Sequence, residues 1–534
     1  MKRKLEEDLN ICDLSDDILL EIFDFFNKET IENLIKVCKR WRNLILSSSK
    51  LSRKPTMFNN FAIYFRRNIS MQQKVESLLE KSKKFPYRNF CFSQLYNEDS
   101  HSLFDDFSKF MTESTNGRAE KIMFNEVPIF MIIKGIQVNS DSLVYLEINI
   151  DFQKDILPTN REINLKNLKT LKIFEFFSIL KIIQCENLTD FSLHALPRPS
   201  LALKVLKNFL QNCEKIKILR LVDNFPKLDN VKFQIENFDL EINRRNSENF
   251  IENFQIFLNS QRKSLRNLNI KNSIVDYRKI LNVINEETQL EKLHLCCYCD
   301  QNNRNKIMTA NLTVKEMKFD VFLLFQGRLH GKVDPSQLIK TFKEFPSVEH
   351  LNIKGFYEDF SKIIRKANFS NLKSLHINSF NKINLHYHEV SFKNLETFII
   401  DCIHNEETAR LWIKMISFFP NVKHLIVKRW TYKPKNKQKQ LKGSIIQKLF
   451  KCGKNVEKIS IEECYSLSFG FFDYLKERNS NLKLLKIGVS KDEEIEAVKQ
   501  KFYGSKLELI VTNYQEKLTS KWSYDPEYLK KRRI

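Results

Sequence analysis

Apolar and polar positions follow two different patterns along this chain, and each pattern predicts a different structure. In the first, within residues 14–26, apolar side chains recur every three or four positions, at Ile18, Leu19, Ile22, Phe23 and Phe26. This spacing places them on one face of a helix. Ser15 is a good N-cap residue, and Asp16 and Asp17 are favourable in a first helical turn. The pattern therefore predicts a helix that begins at Ser15.

The same spacing continues in a second segment that begins near Thr30 and extends over about four helical turns. Its apolar positions are Ile31, Leu34, Ile35, Cys38, Trp41, Leu44 and Ile45. Two helices this short carry more apolar surface than they can bury against each other. We therefore expect part of this surface to contact a partner. The alternative is a plain helical hairpin in which the whole stripe is internal.

From about residue 119 the pattern changes to short runs of the form LxxLxL, such as NLKTLKI at 167–173 and NLKSLHI at 371–377. Their alternation is that of a half-buried strand, while intervening segments such as 201–215 and 407–421 have helical spacing. Fourteen runs start between Leu143 and Leu482. They recur about every 26 residues, within the range of leucine-rich repeats. A strand and a helix repeated at this interval predict an α/β solenoid.

The first region resembles the F-box. The resemblance rests on LSDDILLEIFDFF at 14–26, similar to the family's opening LPxEhhxxIhxhL, and on VCKRWRNL at 37–44, similar to its closing VCKxWxxL. The chain departs from the family at Ser15, where proline is usual. The resemblance implies that residues 9–50 bind a Skp-type adaptor and, through it, a cullin scaffold. Carried over by position, the module core and adaptor face are Leu14, Ile18, Ile22, Phe23, Leu34, Val37 and Trp41.

The repeats resemble the leucine-rich repeat class over residues 119–513, after a linker and solenoid entry region at 51–118 and before a basic tail at 514–534. The class usually has Asn or Cys three residues after the strand, whereas this chain often has an aromatic residue there, as at Phe176, Phe356, Phe380 and Trp430. We therefore expect the asparagine ladder of the class to be mostly missing and phenylalanines to fill the core.

The two resemblances together imply an α/β fold class. They predict a small all-helical F-box-like head followed by an irregular leucine-rich repeat solenoid, with parallel strands on the concave face and helices on the convex face. Within the entry region we expect a helix at 71–84 and an early strand at 87–95. An unrelated α/β domain is the alternative to the solenoid.

Strand alternation also predicts which residues read a ligand. The leucines of each run face the core, so the residues between them face outward. We expect substrate contacts at Lys172, Arg220, Lys292, His294, Lys318, His350 and His376. Because this set leans basic, an acidic or phosphorylated stretch of a protein substrate is the expected ligand.

The net charge of the chain is +23, and residues 1–50 contribute −1 of it. The densest basic segment, 427–442, has seven basic residues and no acidic one, and it has the character of an exposed loop. Such a segment attracts nucleic acid or phosphate. A basic repeat scaffold that binds RNA or another acidic partner is therefore the alternative function. General enrichment in lysine along the chain is a simpler explanation of the charge.

Other features argue against enzymes and membrane proteins. The chain has only 10 glycines and none of the patterns GxGxxG, GxxxxGK[ST], HExxH or GxSxG. Cysteines at 296, 297 and 299 follow His294 but have no second pair at zinc-site spacing. Histidines at 386 and 388, with His376 and His404 nearby in the sequence, are also a weak candidate, so we expect neither a metal nor another cofactor. Neither a signal peptide nor a membrane-spanning run is evident, and the 11 cysteines follow no disulfide spacing.

We therefore expect an intracellular protein, in the cytoplasm, the nucleus or both. The predicted function is that of a non-catalytic substrate receptor in an SCF-type ubiquitin ligase, which selects proteins for ubiquitin-dependent degradation.

Overall fold

The chain forms two compact units, Met1–Ser264 and Leu265–Ile534. In the computed structural model the described residues are 11, 14–48, 50–51, 56–60, 76–77, 80, 87–93, 107–115, 117–150, 161–174, 177–194, 199–222, 225–242, 250–276, 280–281, 284, 289–298, 311, 313–322, 324–325, 328–329, 335–354, 369–377, 392–403, 412, 416, 419, 421–430, 455–464, 481–489, 492–501 and 507–513. The helices expected at 71–84 and 407–421, the basic segment beyond Trp430 and the tail at 514–534 lie largely or wholly outside these residues.

The first unit begins with three short helices, α1 (Asp16–Asp24), α2 (Lys28–Leu34) and α3 (Lys39–Ser47). Ser15 is the N-cap of α1, and its hydroxyl oxygen accepts a hydrogen bond from the Ile18 N–H at 3.5 Å. The helix start expected at Ser15 is confirmed. The serine that replaces the usual proline thus supplies a side-chain cap in its place.

The second helix differs from the sequence prediction, because the segment expected to run unbroken from Thr30 to Ile45 forms two helices. Asn27, rather than Thr30, caps α2 by accepting from the Thr30 N–H at 2.9 Å. Cys38 has an extended backbone, with φ −154° and ψ 165°, and its sulfur accepts from the Trp41 N–H at 3.4 Å. Ile35 is the C-cap of α2, and the cap at Cys38 starts α3 after a short turn. The apolar spacing continues through the break and conceals it.

The remainder of the first unit carries a parallel sheet with one strand from each repeat, paired in chain order. Its strands are β1 (Thr56–Asn60), β2 (Asn89–Ser93), β3 (Lys121–Asn125), β4 (Tyr145–Asn149), β6 (Thr170–Phe174), β8 (Asp190–His194), β9 (Ile218–Val222) and β10 (Asn237–Glu241), with a small separate pair formed by β5 (Ile163–Asn164) and β7 (Ile183–Gln184). Helical segments between the strands are a π-helical turn (Met111–Thr115), α4 (Ile129–Val138), a 3₁₀ turn (Phe177–Lys181), α5 (Pro199–Gln211) and α6 (Phe250–Gln261). The entry region 51–118 thus already contributes two strands to the sheet.

The second unit has the same organisation. Its parallel strands, again paired in chain order, are β11 (Asn267–Asp276), β12 (Lys292–Tyr298), β13 (Glu316–Phe322), β16 (His350–Lys354), β17 (Ser374–Ile377), β18 (Thr397–Ile403), β19 (His424–Trp430), β20 (Lys458–Cys464), β21 (Leu484–Val489) and β22 (Glu508–Asn513). A short antiparallel pair, β14 (Leu324–Phe325) and β15 (Arg328–Leu329), and the helices α7 (Pro335–Lys343) and α8 (Asp492–Lys501) complete the described elements. This repeating strand arrangement confirms the predicted solenoid.

Phenylalanine fills much of the core, as expected. In the second unit Phe342, Phe369, Phe392 and Phe419 follow one another from repeat to repeat. Their successive ring centroids are 5.5, 5.8 and 5.2 Å apart. These separations are those of favourable aromatic pairs. A continuous row of aromatic contacts therefore joins neighbouring repeats on the core side of the sheet.

An asparagine ladder is present, but at a different position from the one that the class consensus predicts. The asparagine just before the LxxLxL run donates from its side-chain Nδ2 to a backbone carbonyl of the preceding repeat. The five donor–acceptor pairs are Asn167 to Asp141, Asn187 to Lys166, Asn371 to Pro346, Asn394 to Ser370 and Asn421 to Lys393, at 2.6–3.1 Å. In the described residues this ladder thus lies just before the strands.

A second ladder, made of charged side chains, lies beside the first in the second unit. The residue after the first apolar position of each run alternates in sign from strand to strand, in the order Arg266, Glu291, Lys315, Glu349, Lys373, Glu396, Lys423, Glu457 and Lys483. Three neighbouring pairs form salt bridges, Lys373–Glu349 at 2.6 Å, Lys423–Glu396 at 3.1 Å and Lys483–Glu457 at 2.9 Å. Alternation keeps like charges from adjacent strands apart. We call this row the charge ladder.

Candidate functional site

The head carries two apolar stripes along α1, and only one of them belongs to its core. Leu19 and Phe23 are fully buried. Ile18 is 47% exposed and Phe25 is 89% exposed. Because these two residues are seven positions apart, they lie on one face of the helix, about 10 Å apart along its axis. The half-buried Ile22 lies between them on the same side.

Further apolar side chains of the head are exposed beyond α1. Val37, in the turn before α3, is 59% exposed, and Phe26 and Ile11 are also partly in solvent. A shallow cavity of about 320 Å³ beside Phe25 is lined in part by Leu20 and Leu51. Exposed apolar groups concentrated in so small a module indicate a surface that binds another protein.

Arg40 holds the start of α1 against α3. Its guanidinium donates to the Leu14 carbonyl oxygen at 2.7 Å and to the Asp16 carboxylate at 2.6 and 2.9 Å. Both partners lie more than twenty positions away in the sequence. This contact fixes the first turn of α1, where Ile18 lies, relative to the turn that carries Val37.

The structure divides the seven residues that were predicted to form the module core and adaptor face. Phe23 and Trp41 are buried in the core, Leu14, Ile22 and Leu34 are half-buried, and Ile18 and Val37 are exposed. Sequence reasoning missed Phe25, the most exposed apolar side chain of the head. Its seven-residue separation from Ile18 was the available signal, because that spacing repeats a helix face. Arg40 was also missed, and no local pattern indicated its partners.

The predicted ligand-reading positions lie on the outer face of each sheet, defined here as the face opposite the core. In β4 the apolar Leu146 and Ile148 are buried while Tyr145 and Glu147 are half-buried, and several other strands have the same alternation. The orientation expected from the LxxLxL pattern is therefore confirmed. Whether these positions bind a substrate stays a prediction.

On the outer face of the first unit the predicted cations already have partners. Lys172 lies 5.3 Å from the centroid of the Tyr145 ring, over which Lys121 also lies at 4.4 Å. Arg220 forms salt bridges with Asp190 at 2.5 Å and with Asp239 at 3.2 Å. Arg220 is therefore engaged on both sides by neighbouring strands. The guanidinium that was expected to contact a substrate is therefore already bound within the protein.

On the outer face of the second unit the predicted residues differ in whether they are free to contact a ligand. Lys292 pairs with Glu316 at 2.6 Å, whereas His350 is exposed at the start of β16. Lys318 is half-buried and forms no hydrogen bond or ion pair with any of the described residues. His294 is beside it on β12. Burial lowers the pKa of His294 to about 4, and the charges of Lys318, Lys271 and Lys354 act in the same direction.

His376 departs from the prediction that it is an outward contact. Its side chain is 8% exposed, and its Nε2 lies 3.8 Å from the carboxylate of Asp401. The same carboxylate lies 3.6 Å from the guanidinium of Arg429. Asp401 has its pKa lowered overall, because its interactions with His376 and Arg429 outweigh the opposing and largest single effect, which is burial. His376 is therefore packed within the face and is not available to a ligand.

Two other kinds of site were sought in the part of the chain that the structure describes. No group of three or more His, Cys, Asp or Glu side chains there is arranged to hold a metal ion. None of the described helices has the length and apolar character needed to cross a membrane.

Comparison with known proteins bears on both regions. Residues 11–53 match the family model of the F-box domain, which confirms the resemblance seen in the head. No curated protein matches the chain. Among solved structures, a TLR13–ssRNA13 complex is similar at 13% sequence identity and a TM-score of 0.37. The alignment covers 77% of this chain and 54% of that one, so the chain spans about half the length of that structure.

Proposed function

We propose that this protein is a substrate-recognition subunit of an SCF-type ubiquitin ligase. The head docks on a Skp-type adaptor, which connects it to a cullin scaffold, and the repeats bind a protein substrate. The observation that carries this proposal is the exposed apolar stripe of Ile18 and Phe25 on a module that matches the F-box. Burying such a stripe against a partner would contribute about 25 cal/mol for each Å² removed from water.

The role of the repeats in this proposal is to hold a substrate, not to react with it. Each outward position of the strand recurs in every repeat. The side chains at that position therefore form a row that continues from repeat to repeat. A rigid receptor raises the rate of ubiquitin transfer by keeping substrate lysines near the charged conjugating enzyme, which is a proximity effect. We place this activity in the cytoplasm, the nucleus or both.

The alternative, a basic scaffold for RNA or another acidic polymer, has less support on the described outer faces. A polyanion needs cations whose charge is unbalanced. Arg220, Lys292 and Lys354 each pair with a carboxylate of a neighbouring strand. These pairs reduce the positive charge that the three side chains offer to a phosphate backbone, so we favour the ligase function.

Adaptor co-purification from cells tests the head. We expect Ile18→Asp and Phe25→Asp, singly and together, to abolish recovery of the Skp-type adaptor and the cullin. A charge on either side chain would have to be buried without a partner in the complex, which costs several kcal/mol. Because both side chains are exposed in the free protein, the substitutions should leave the head folded.

Asn43→Asp provides the matched control, since Asn43 is an exposed residue of α3 that gains the same charge. It should retain the adaptor. Hydrogen exchange of the α1 amides should be unchanged in all of these variants. Normal adaptor recovery with the double variant would refute the docking assignment.

A further inference from the structure

The outer face of the second unit contains a row of polar side chains that form no hydrogen bond or ion pair within the described part of the chain. Asn269, His294, Lys318 and Asn352 occupy equivalent positions on the adjacent strands β11, β12, β13 and β16. Neighbouring parallel strands are about 4.8 Å apart, so the row extends over about 14 Å. We call these four residues the donor row.

The amides of the donor row are oriented with their acceptors inward. The Oδ1 atoms of Asn269 and Asn352 are buried and have no hydrogen-bond partner among the described residues. The Nδ2 atoms of the same side chains are not among the buried polar atoms that lack a partner. Each Nδ2 can donate two hydrogen bonds. The row therefore presents donors at both ends.

The middle of the row adds a charge and another donor. Lys318 Nζ can donate three hydrogen bonds, and a neutral imidazole at His294 donates one. Burial and the surrounding lysines keep the pKa of His294 at about 4, so this ring is neutral at physiological pH. All four side chains thus offer donors, and one of them carries a permanent positive charge.

The charges around the row are not balanced. Lys271, Lys318 and Lys354 all act electrostatically on His294, and Lys292 lies on the same strand as that histidine. Two of these four lysines form ion pairs, Lys292 with Glu316 at 2.6 Å and Lys354 with Asp320 at 3.6 Å. Lys271 and Lys318 form no ion pair with a carboxylate of the described residues. A ligand that carries about two negative charges would complement them.

The length of the row discriminates between ligands. A single phosphoryl group is only a few ångströms across and would reach two neighbouring donors of a row about 14 Å long. An extended peptide with acidic side chains at alternate positions places carboxylates about 7 Å apart. It can therefore use the whole row.

We propose that the donor row binds an extended acidic segment of a protein partner, with one carboxylate on Lys318 and His294. If the protein is a ligase subunit, as proposed above, this segment belongs to the substrate. The substrate is then a protein with an exposed acidic segment. The peptide lies across the strands, and the Asn269 and Asn352 amides donate to its oxygens.

Selection of short random peptides tests this site. The full chain is used to capture peptides from a displayed library, and the captured sequences are read. We expect enrichment of Asp and Glu at alternate positions. The same selection with Lys318→Gln should lose this enrichment, because the only unbalanced charge in the row is gone.

Lys486→Gln is the matched control, because Lys486 occupies the same register position on β21 but has Ser460 and Ile510 as its neighbours in the row. It should capture the same acidic peptides as the unmodified chain. For one selected peptide we expect Lys318→Gln to weaken binding about tenfold and Lys486→Gln to change it less than twofold, as measured by fluorescence anisotropy.

Asn352→Leu removes donors without a change of charge and should also weaken binding. Thermal unfolding will verify that each variant is folded.

Three results would overturn the proposal. Captured peptides without acidic enrichment would exclude an acidic ligand. Equal losses for Lys318→Gln and Lys486→Gln would show that general positive charge, not the donor row, attracts the peptides. A parallel library contains phosphoserine. If peptides from it are captured only when the phosphoryl group is present, the ligand of the donor row is a phosphate and not a carboxylate. None of these readings depends on adaptor binding, which Lys318→Gln should leave intact, so failure of the ligase proposal is separately visible.

Discussion

The rings of Phe23 and Trp41 meet edge to face, with centroids 5.1 Å apart and planes inclined at 65°. Phe23 lies on α1 and Trp41 on α3, so this contact joins the helix that carries the exposed Ile18 to the last helix of the head. Both residues are buried. The indole Nε1 of Trp41 is buried without a hydrogen-bond partner among the described residues. The tryptophan therefore acts as an apolar core residue.

Trp41→Ala should unfold the head, since loss of a large buried aromatic side chain costs about 3–5 kcal/mol. Hydrogen exchange of the α1 and α3 amides is the measurement, because it reports the head separately from the repeats. Trp41→Phe keeps an aromatic contact with Phe23 and removes an unpaired donor, so it should cost clearly less. Equal protection in the alanine variant and the unmodified chain would show that this contact does not hold the head together.

The asparagine ladder gives a second prediction. Asn394→Ala removes the donor to the Ser370 carbonyl, which is 2.7 Å away, and should cost about 0.5–1.5 kcal/mol. Asn394→Asp should cost more, since a carboxylate can only accept and would face another oxygen. Hydrogen exchange at the β17 and β18 amides will rank the two variants. The opposite order would mean that the side chain does not act as a donor.

The charge ladder gives a third prediction. Lys373→Glu places a negative charge between Glu349 and Glu396 and removes the salt bridge to Glu349. Because these groups are largely exposed, we expect a loss of roughly 1 kcal/mol that shrinks at high salt. Lys393→Glu makes the same change at an exposed residue outside the ladder. Denaturant unfolding compares the two, and an equal effect of both substitutions would contradict a role for the alternation.

The fourth prediction concerns the proton affinity of His294. NMR titration should give it a pKa of about 4, since burial disfavours the charged ring and the nearby lysines repel it. Lys318→Gln removes one of these lysines and should raise the pKa, whereas Lys486→Gln should leave it unchanged. An ordinary pKa near 6.5 in the folded protein would show that the ring is not enclosed as described.

His294 also predicts how stability depends on pH. In the unfolded chain its pKa is near 6.5, so between about pH 6.5 and pH 4 the unfolded state binds more protons than the folded state. The contribution of His294 to stability is therefore complete above pH 6.5 and decreases as the pH falls through this window. His294→Gln cannot take up the proton. Thermal unfolding of this variant should consequently show a smaller loss of stability between pH 7 and pH 5.

The order of apolar and polar residues along the chain determined where helices and strands form and which of their side chains face the core. Alternation in runs such as NLKTLKI placed the leucines in the core and Lys172 outside, because successive side chains of a strand point to opposite faces. Helical spacing with Ser15 in front determined where α1 begins. The average distance between runs was enough to predict a solenoid, since each repeat uses the same short strand.

Contacts between repeats were decided only by the tertiary structure. One partner of Arg220 is Asp190, 30 positions earlier in the chain. Lys292 forms an ion pair with Glu316, whereas Lys318, also an outward lysine, forms none with the described residues. Such differences depend on which residues the strand register places side by side. Burial of His376 beside Asp401 likewise depends on the neighbouring strand. A short-range pattern specifies the direction of a side chain, but its neighbours come from distant segments, which is why availability for binding was visible only in the folded chain.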